Sequence, residues 1–183
     1  VVLKSSGNFD QKTIDEAFLG HGKKTAGIVA DVVNQSNTRD SKGIMFFAAT
    51  VDHAKEIMAS LPGYNSALIT GDTKKTERDK IIANFKNQDI KYLVNVSVLT
   101  TGFDAPHVDL IAVLRATESA ALYQQIVGRA LRLFDGKTEA VILDYADNIK
   151  RFFPDGDIFN PQIQAYGDKP QIKGEFSCPK CNN

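Results

Sequence analysis

The sequence has no tryptophan, only two cysteines and no surplus of either charge. Each shortage excludes something. Both cysteines lie at the extreme C-terminus, so no disulfide framework supports a fold, and a reducing interior is expected. Lys and Arg number 22, as do Asp and Glu, giving a formal net charge of zero. A field strong enough to draw in polyanions as a histone does is therefore excluded, and any nucleic-acid contact must be local. No apolar run approaches the ~18–20 residues needed to cross a bilayer. The opening Val1-Val2-Leu3-Lys4-Ser5-Ser6 lacks the charged start, apolar centre and cleavage site of a secretory signal. A soluble, cytoplasmic protein with no membrane partner is expected. The missing initiator Met reads as the mark of a piece of something longer. No period of 20–50 residues recurs, which argues against a solenoid.

What is present suits one globular domain: 183 residues, 43% hydrophobic and 24% charged. Short β-branched or apolar runs at Gly43–Ala48, Ser66–Thr70, Tyr92–Val96, Val108–Leu114 and Ala140–Asp144 read as strands. Between them, Ala54, Ile57, Met58 and Leu61 recur at helical spacing, as do Ile81, Ile82 and Phe85, then Leu122, Ile126 and Leu131. That alternation predicts an α/β fold, a mainly parallel sheet flanked by helices in three layers. Phe9–Leu19 and Thr25–Asn37 read as two earlier helices. Residues 1–40 are taken as a helical lead-in, 41–151 as the main domain and 152–183 as an irregular tail punctuated by Pro and Gly.

The phosphate-binding loop of nucleotide hydrolases needs Gly-x4-Gly-Lys-Ser/Thr after a strand. Gly20-His21-Gly22-Lys23-Lys24-Thr25 fails that pattern, and Asp15-Glu16-Ala17-Phe18 reads as a solvated helix face rather than a metal-binding acid pair. Two other clusters carry more. In Gln125-Ile126-Val127-Gly128-Arg129-Ala130-Leu131-Arg132, two guanidinium groups share a helix face and repel unless an anion lies beside them. In Val98-Leu99-Thr100-Thr101-Gly102-Phe103-Asp104, two hydroxyls, a Gly and an acid follow a strand, which places them at the C-terminal edge of the sheet, where open α/β folds bind ligands.

Taken in order, Gly43–Thr50, Gly71-Asp72-Thr73 with Arg78 and Phe85, Leu99–Asp104 and Gln125–Arg132 resemble motifs IV, IVa, V and VI of superfamily II helicases. The resemblance covers about residues 40–150 and implies a second, C-terminal RecA-like domain. The phosphate loop and its acid would then belong to a first RecA-like domain, the chain's own missing partner. By this resemblance Arg129 and Arg132 are arginine fingers on ATP, with Gln125 a polar partner beside them. Gly102 and Asp104 sense the nucleotide. Ala49, Thr50, Gly71, Thr73, Thr100 and Thr101 touch the nucleic-acid backbone. ATP with Mg would be bound mainly by the first domain, so this piece alone is expected to be inactive.

Gln125 and Leu131 depart from the His and Gly usual in RNA-directed DEAD-box proteins. The pattern is closer to bacterial DNA-repair helicases of the RadD-like type. The implied function is the C-terminal motor domain of an ATP-dependent DNA helicase or translocase, with backbone contacts only. A restriction-type translocase motor and a RecA-like binding module without motor activity stay as alternatives. Cys178 and Cys181 make half of a four-ligand zinc site, either the start of a zinc module that a longer chain would complete or two free thiols. His53 reads as a first-turn helix residue and His107 as a polar residue at a strand entry.

Overall fold

The computed structural model describes residues 22–98 and 103–159. Helix α1 (Gly22–Thr38) leads into β1 (Gly43–Ala48), followed by α2 (Val51–Ser60), β2 (Ser66–Ile69), α3 (Lys75–Lys86) and β3 (Tyr92–Asn95). Then come β4 (Val108–Leu114), α4 (Ala120–Ala130), β5 (Val141–Asp144) and the short α5 (Asn148–Phe152). The strands form one sheet in the order β2-β3-β1-β4-β5. Every neighbouring pair is parallel. The expected α/β architecture is therefore present, with a sheet that is wholly parallel.

β1 and β4 have the expected bounds, while β2, β3 and β5 lack Thr70, Val96 and Ala140 respectively. At Thr70 the cause is local. Its N–H turns aside to the Thr73 hydroxyl at 2.9 Å. After β3 the chain bends at Ser97, which holds a left-handed φ of 55°.

β1 is buried along its whole length, as a central strand covered on both faces must be. Its side chains alternate between those faces. Ile44, Phe46 and Ala48 pack with Val29 and Val32 of α1 and with Ala54 and Ile57 of α2. Met45 and Phe47 face the other way, toward Phe85 of α3 and Tyr123, Ile126 and Val127 of α4. Three layers result, each fully buried Phe or Ile contributing about 1.5–3 kcal/mol. Residues 22–38 of the expected lead-in thus form a helix with Val29 and Val32 fully buried against the sheet. Phe9–Leu19 lies outside the described residues, as does the tail from 160 onward. Among the described residues no helix is long and apolar enough to cross a membrane.

Candidate functional site

Parallel strands give the sheet one edge of strand starts and one of strand ends, and the candidate residues divide between them. β4 begins opposite the start of β1, with Val108 beside Gly43. α4 leaves the far end of β4 and returns, so its C-terminus meets the starting edge. Ser119 opens the helix by accepting from the Leu122 N–H at 3.2 Å. Arg129 stands in its last turn, and Arg132 lies just past its end, where the helix dipole favours cations.

The two guanidinium groups converge on consecutive residues. Nη1 of Arg129 donates to the Phe103 carbonyl, and Nη1 of Arg132 donates to the Asp104 carboxylate. Arg129 is 8% exposed, whereas the side chains of Arg132 and Asp104 are 41% and 64% exposed. Burial lowers the Arg129 pKa, the neighbouring Arg132 lowers it further, and Asp104 opposes both. An Arg remains charged through such a shift. Asp104 is the anion that lets the two cations stand together. Phosphate oxygens match the same planar fork as a carboxylate, so Arg132 can exchange one anion for the other. Gln125 is exposed one turn before Arg129.

This geometry corrects one expectation. The segment containing Asp104 was expected at the edge of strand ends because it follows β3. Its second half has already travelled to the start of β4, where the Val108 N–H donates to the Ala105 carbonyl at 3.2 Å. Phe103 and Asp104 therefore sit at the edge of strand starts. Residues 99–102, and with them Thr100, Thr101 and Gly102, lie outside the described residues.

At the opposite edge stand Ala49, Thr50, Gly71 and Thr73, after the ends of β1 and β2. A seven-residue strand such as β4 separates the edges by roughly 20 Å. Thr50 caps α2, its hydroxyl oxygen accepting from the His53 N–H at 3.1 Å. The Ala49 N–H points at Nδ1 of His53, 3.5 Å away. His53 is in the first turn of α2, as expected, and burial lowers its pKa against the opposing charge of Glu56. Thr73 folds back on Thr70. Nη2 of Arg78 secures that loop by donating to the carbonyls of Thr70, Gly71 and Thr73 at 3.2, 3.4 and 3.3 Å. The structure thus gathers Arg129, Arg132 and Asp104 at one edge and Ala49, Thr50, Gly71 and Thr73 at the other. Cys178 and Cys181 lie outside the described residues. Among the described residues, no three His, Cys, Asp or Glu side chains cluster to hold a metal.

Sequence reasoning overlooked three polar residues. Lys137 sends its ammonium to backbone carbonyls on both sides of the arginine site. Arg115, just after β4, donates to the Ser97 hydroxyl just after β3 at 2.5 Å. Asn148, fully buried, joins the ends of β4 and β5. None belongs to a periodic pattern; the only local signal was the Gly136-Lys137 turn.

The family model described as helicase conserved C-terminal domain matches residues 25–134. The chain belongs to that helicase C-terminal domain family. The matched stretch of this helicase domain holds both edges of the sheet and ends just past Arg132. It is 32% identical over 120 residues to the protein named "Putative ATP-dependent helicase IRC3" of Saccharomyces cerevisiae, a match covering 64% of this chain and 17% of IRC3. It is 33% identical over 138 residues to UvrABC system protein B of Anaplasma phagocytophilum, covering 70% of this chain and 20% of that protein. The helicase domain therefore spans about a fifth of the length of these relatives. Among solved structures, S. cerevisiae Dbp5 bound to RNA and ADP BeF3 superposes with a TM-score of 0.53 at 24% identity, over 62% of this chain and 31% of Dbp5. That likeness bears on the fold, which is RecA-like, as the motif order implied.

Proposed function

We propose that this helicase domain is the second motor domain of an ATP-dependent DNA helicase or translocase, completing an ATP site held mainly by a first RecA-like domain. The observation that carries the reading is the half-exposed Arg132, whose guanidinium is paired at the domain surface with the more exposed Asp104. In the closed cleft Arg132 leaves Asp104 for the γ-phosphate. Arg129, anchored on the Phe103 carbonyl, keeps the local field positive, and Gln125 lies beside them. Gly102 and Asp104 report the state of the nucleotide. ATP arrives with Mg, which this chain's arginines do not ligate; the chain supplies charge to the phosphoryl group. Such a contribution is made only when the cleft closes, and an arginine finger is worth ~10³–10⁵ in rate.

Ala49, Thr50, Gly71 and Thr73 at the other edge contact phosphates of one strand without reading bases, a role the motif resemblance extends to Thr100 and Thr101. Thr50 illustrates how. Its oxygen accepts from the His53 N–H, which leaves its O–H free to donate to a phosphate. These contacts need no net charge. DNA rather than RNA is favoured by Gln125 and Leu131, the positions where motif VI departs from the RNA-directed pattern.

The test is Arg132→Ala in the intact protein. We expect kcat for ATP hydrolysis to fall on the order of 10³ with KM changed little, as for a group acting in the transition state. An unchanged kcat overturns the reading. This chain by itself is expected to show no ATP turnover.

A further inference from the structure

Arg132 and Asp104 form a surface ion pair, and such pairs typically contribute only ~0–1 kcal/mol, too little to fix two long side chains in one geometry. Something else must hold the two backbones in register. α4 ends at Ala130, and the chain then reverses through a turn in which the Lys137 N–H donates to the Phe134 carbonyl at 3.0 Å. Gly136, third in that turn, has φ of +73°, the left-handed value such a turn requires there. The reversal aims the Lys137 side chain back at the site. Its Nζ donates to the carbonyls of Pro106 at 3.1 Å, Val108 at 2.6 Å and Arg132 at 2.9 Å. An ammonium has three donors, and here each meets a backbone acceptor. Two acceptors belong to the segment that carries Asp104 into β4; the third is the main chain of Arg132 itself.

We infer that Lys137 is the positioning residue that fixes the main chain of Arg132 against the segment carrying Asp104 and so places its guanidinium for nucleotide chemistry, an inference that rests on the function proposed above. The bonds run from one side chain to both backbones that carry the pair, so they set the separation of the guanidinium from the carboxylate. Arg132 is then pre-placed when the cleft closes, and placement errors of about 1 Å can cost up to ~10² in rate. A lysine suits the task because three donors radiate from a single nitrogen. An Arg would bring a longer, planar group; at Arg78 one such nitrogen meets three carbonyls, but at the longer distances of 3.2, 3.4 and 3.3 Å.

Steady-state ATP hydrolysis by the intact protein, with saturating DNA, distinguishes this from a purely structural role. Lys137→Met keeps most of the stem and removes the ammonium. We expect kcat to drop about tenfold or more with KM for ATP within about twofold. In the double variant Lys137→Met/Arg132→Ala, kcat should be no lower than in Arg132→Ala alone, because Lys137 acts through Arg132. Multiplicative losses in the double variant, or a wild-type kcat in Lys137→Met beside a collapsed kcat in Arg132→Ala, overturn the inference and leave the proposed function standing. A wild-type kcat in Arg132→Ala overturns both. If Lys137→Met fails to fold, Lys137→Arg carries the test: a several-fold lower kcat supports the inference, and a wild-type kcat overturns it.

Discussion

The two edges of the sheet handle polar groups in opposite ways. At the edge of strand ends, several polar side chains are directed inward and bonded within the fold. Asn148 shows the extreme case: its Oδ1 accepts from the Thr117 N–H at 2.7 Å and the Thr117 hydroxyl at 3.0 Å. Its Nδ2 donates to the Arg115 carbonyl at 3.0 Å and to Asp144 at 2.9 Å. At the edge of strand starts, Arg132 and Asp104 meet in solvent, while Lys137 and Arg129 tie the site to the backbone. The first edge is built for stability, and the second can exchange partners. The contrast teaches where a mutation should register: in the unfolding free energy at one edge and in turnover at the other.

The largest effect that would sharpen this contrast is the ~10³ loss of kcat expected for Arg132→Ala, about 4 kcal/mol in the transition state. Its unfolding free energy should change by less than ~1 kcal/mol, since only an exposed ion pair is lost. Asn148→Ala should do the reverse. It leaves the buried Thr117 N–H and the Arg115 carbonyl without their partner, which costs about 2–4 kcal/mol of stability. Chemical denaturation of the chain measures that loss directly. A stable Asn148→Ala, or an Arg132→Ala that unfolds readily, would erase the distinction between the edges.

Much of this organisation was legible in the residues. The bounds of β1 and β4 follow from largely apolar runs that stop at polar residues, Lys42 before β1 and His107 and Arg115 around β4, and α2 to α4 follow from their stripes, because periodicity is a local property. The pairing of Arg129 and Arg132 with an anion was also legible, since two adjacent cations demand one. What escaped was path. Nothing local in Gly102-Phe103-Asp104 says that the chain crosses from one edge of the sheet to the other within a dozen residues, and that crossing decides which residues meet. Lys137 and Asn148 escaped for the same reason. Their partners lie about thirty residues away in sequence, at Pro106, Val108, Arg115 and Thr117.

Thr50 belongs to the stable edge yet is proposed to touch DNA, so it tests whether one residue can serve both ends. Thr50→Ala removes the cap on α2 and should cost ~1 kcal/mol of stability. Thr50→Asp keeps a capping oxygen and suits the helix N-terminus, so stability should be near wild type. Its charge would repel a phosphate, and stimulation of ATP hydrolysis by DNA should weaken while basal hydrolysis persists. Equal DNA stimulation in Thr50→Asp and wild type would confine Thr50 to its structural role.

The smallest expected effect compares the edges by titration. His53 lies at the edge of strand ends and His107 at the edge of strand starts, and both are almost fully buried. Burial is the main reason both pKa values are lowered; Glu56 opposes the shift at His53, and Asp109 opposes it at His107. A histidine with a lowered folded-state pKa takes up its proton in the unfolded chain first, near pH 6.5. Its stabilising contribution is therefore complete above that pH and declines as the solution is acidified, by at most ~1.4 kcal/mol per pH unit for each histidine. Between pH 7 and 5.5 the denaturation midpoint should fall, and His53→Gln and His107→Gln should each flatten the profile. The two differ in what protonation disturbs. At His53 a proton on Nδ1 displaces the Ala49 N–H, while His107 is wedged between the rings of Phe85 and Phe134 with centroids at 4.9 and 6.1 Å. Acid should thus weaken DNA stimulation through His53 and leave it unchanged through His107, so a His53→Gln variant that keeps the wild-type pH profile of DNA stimulation would separate Ala49 from the proposed grip.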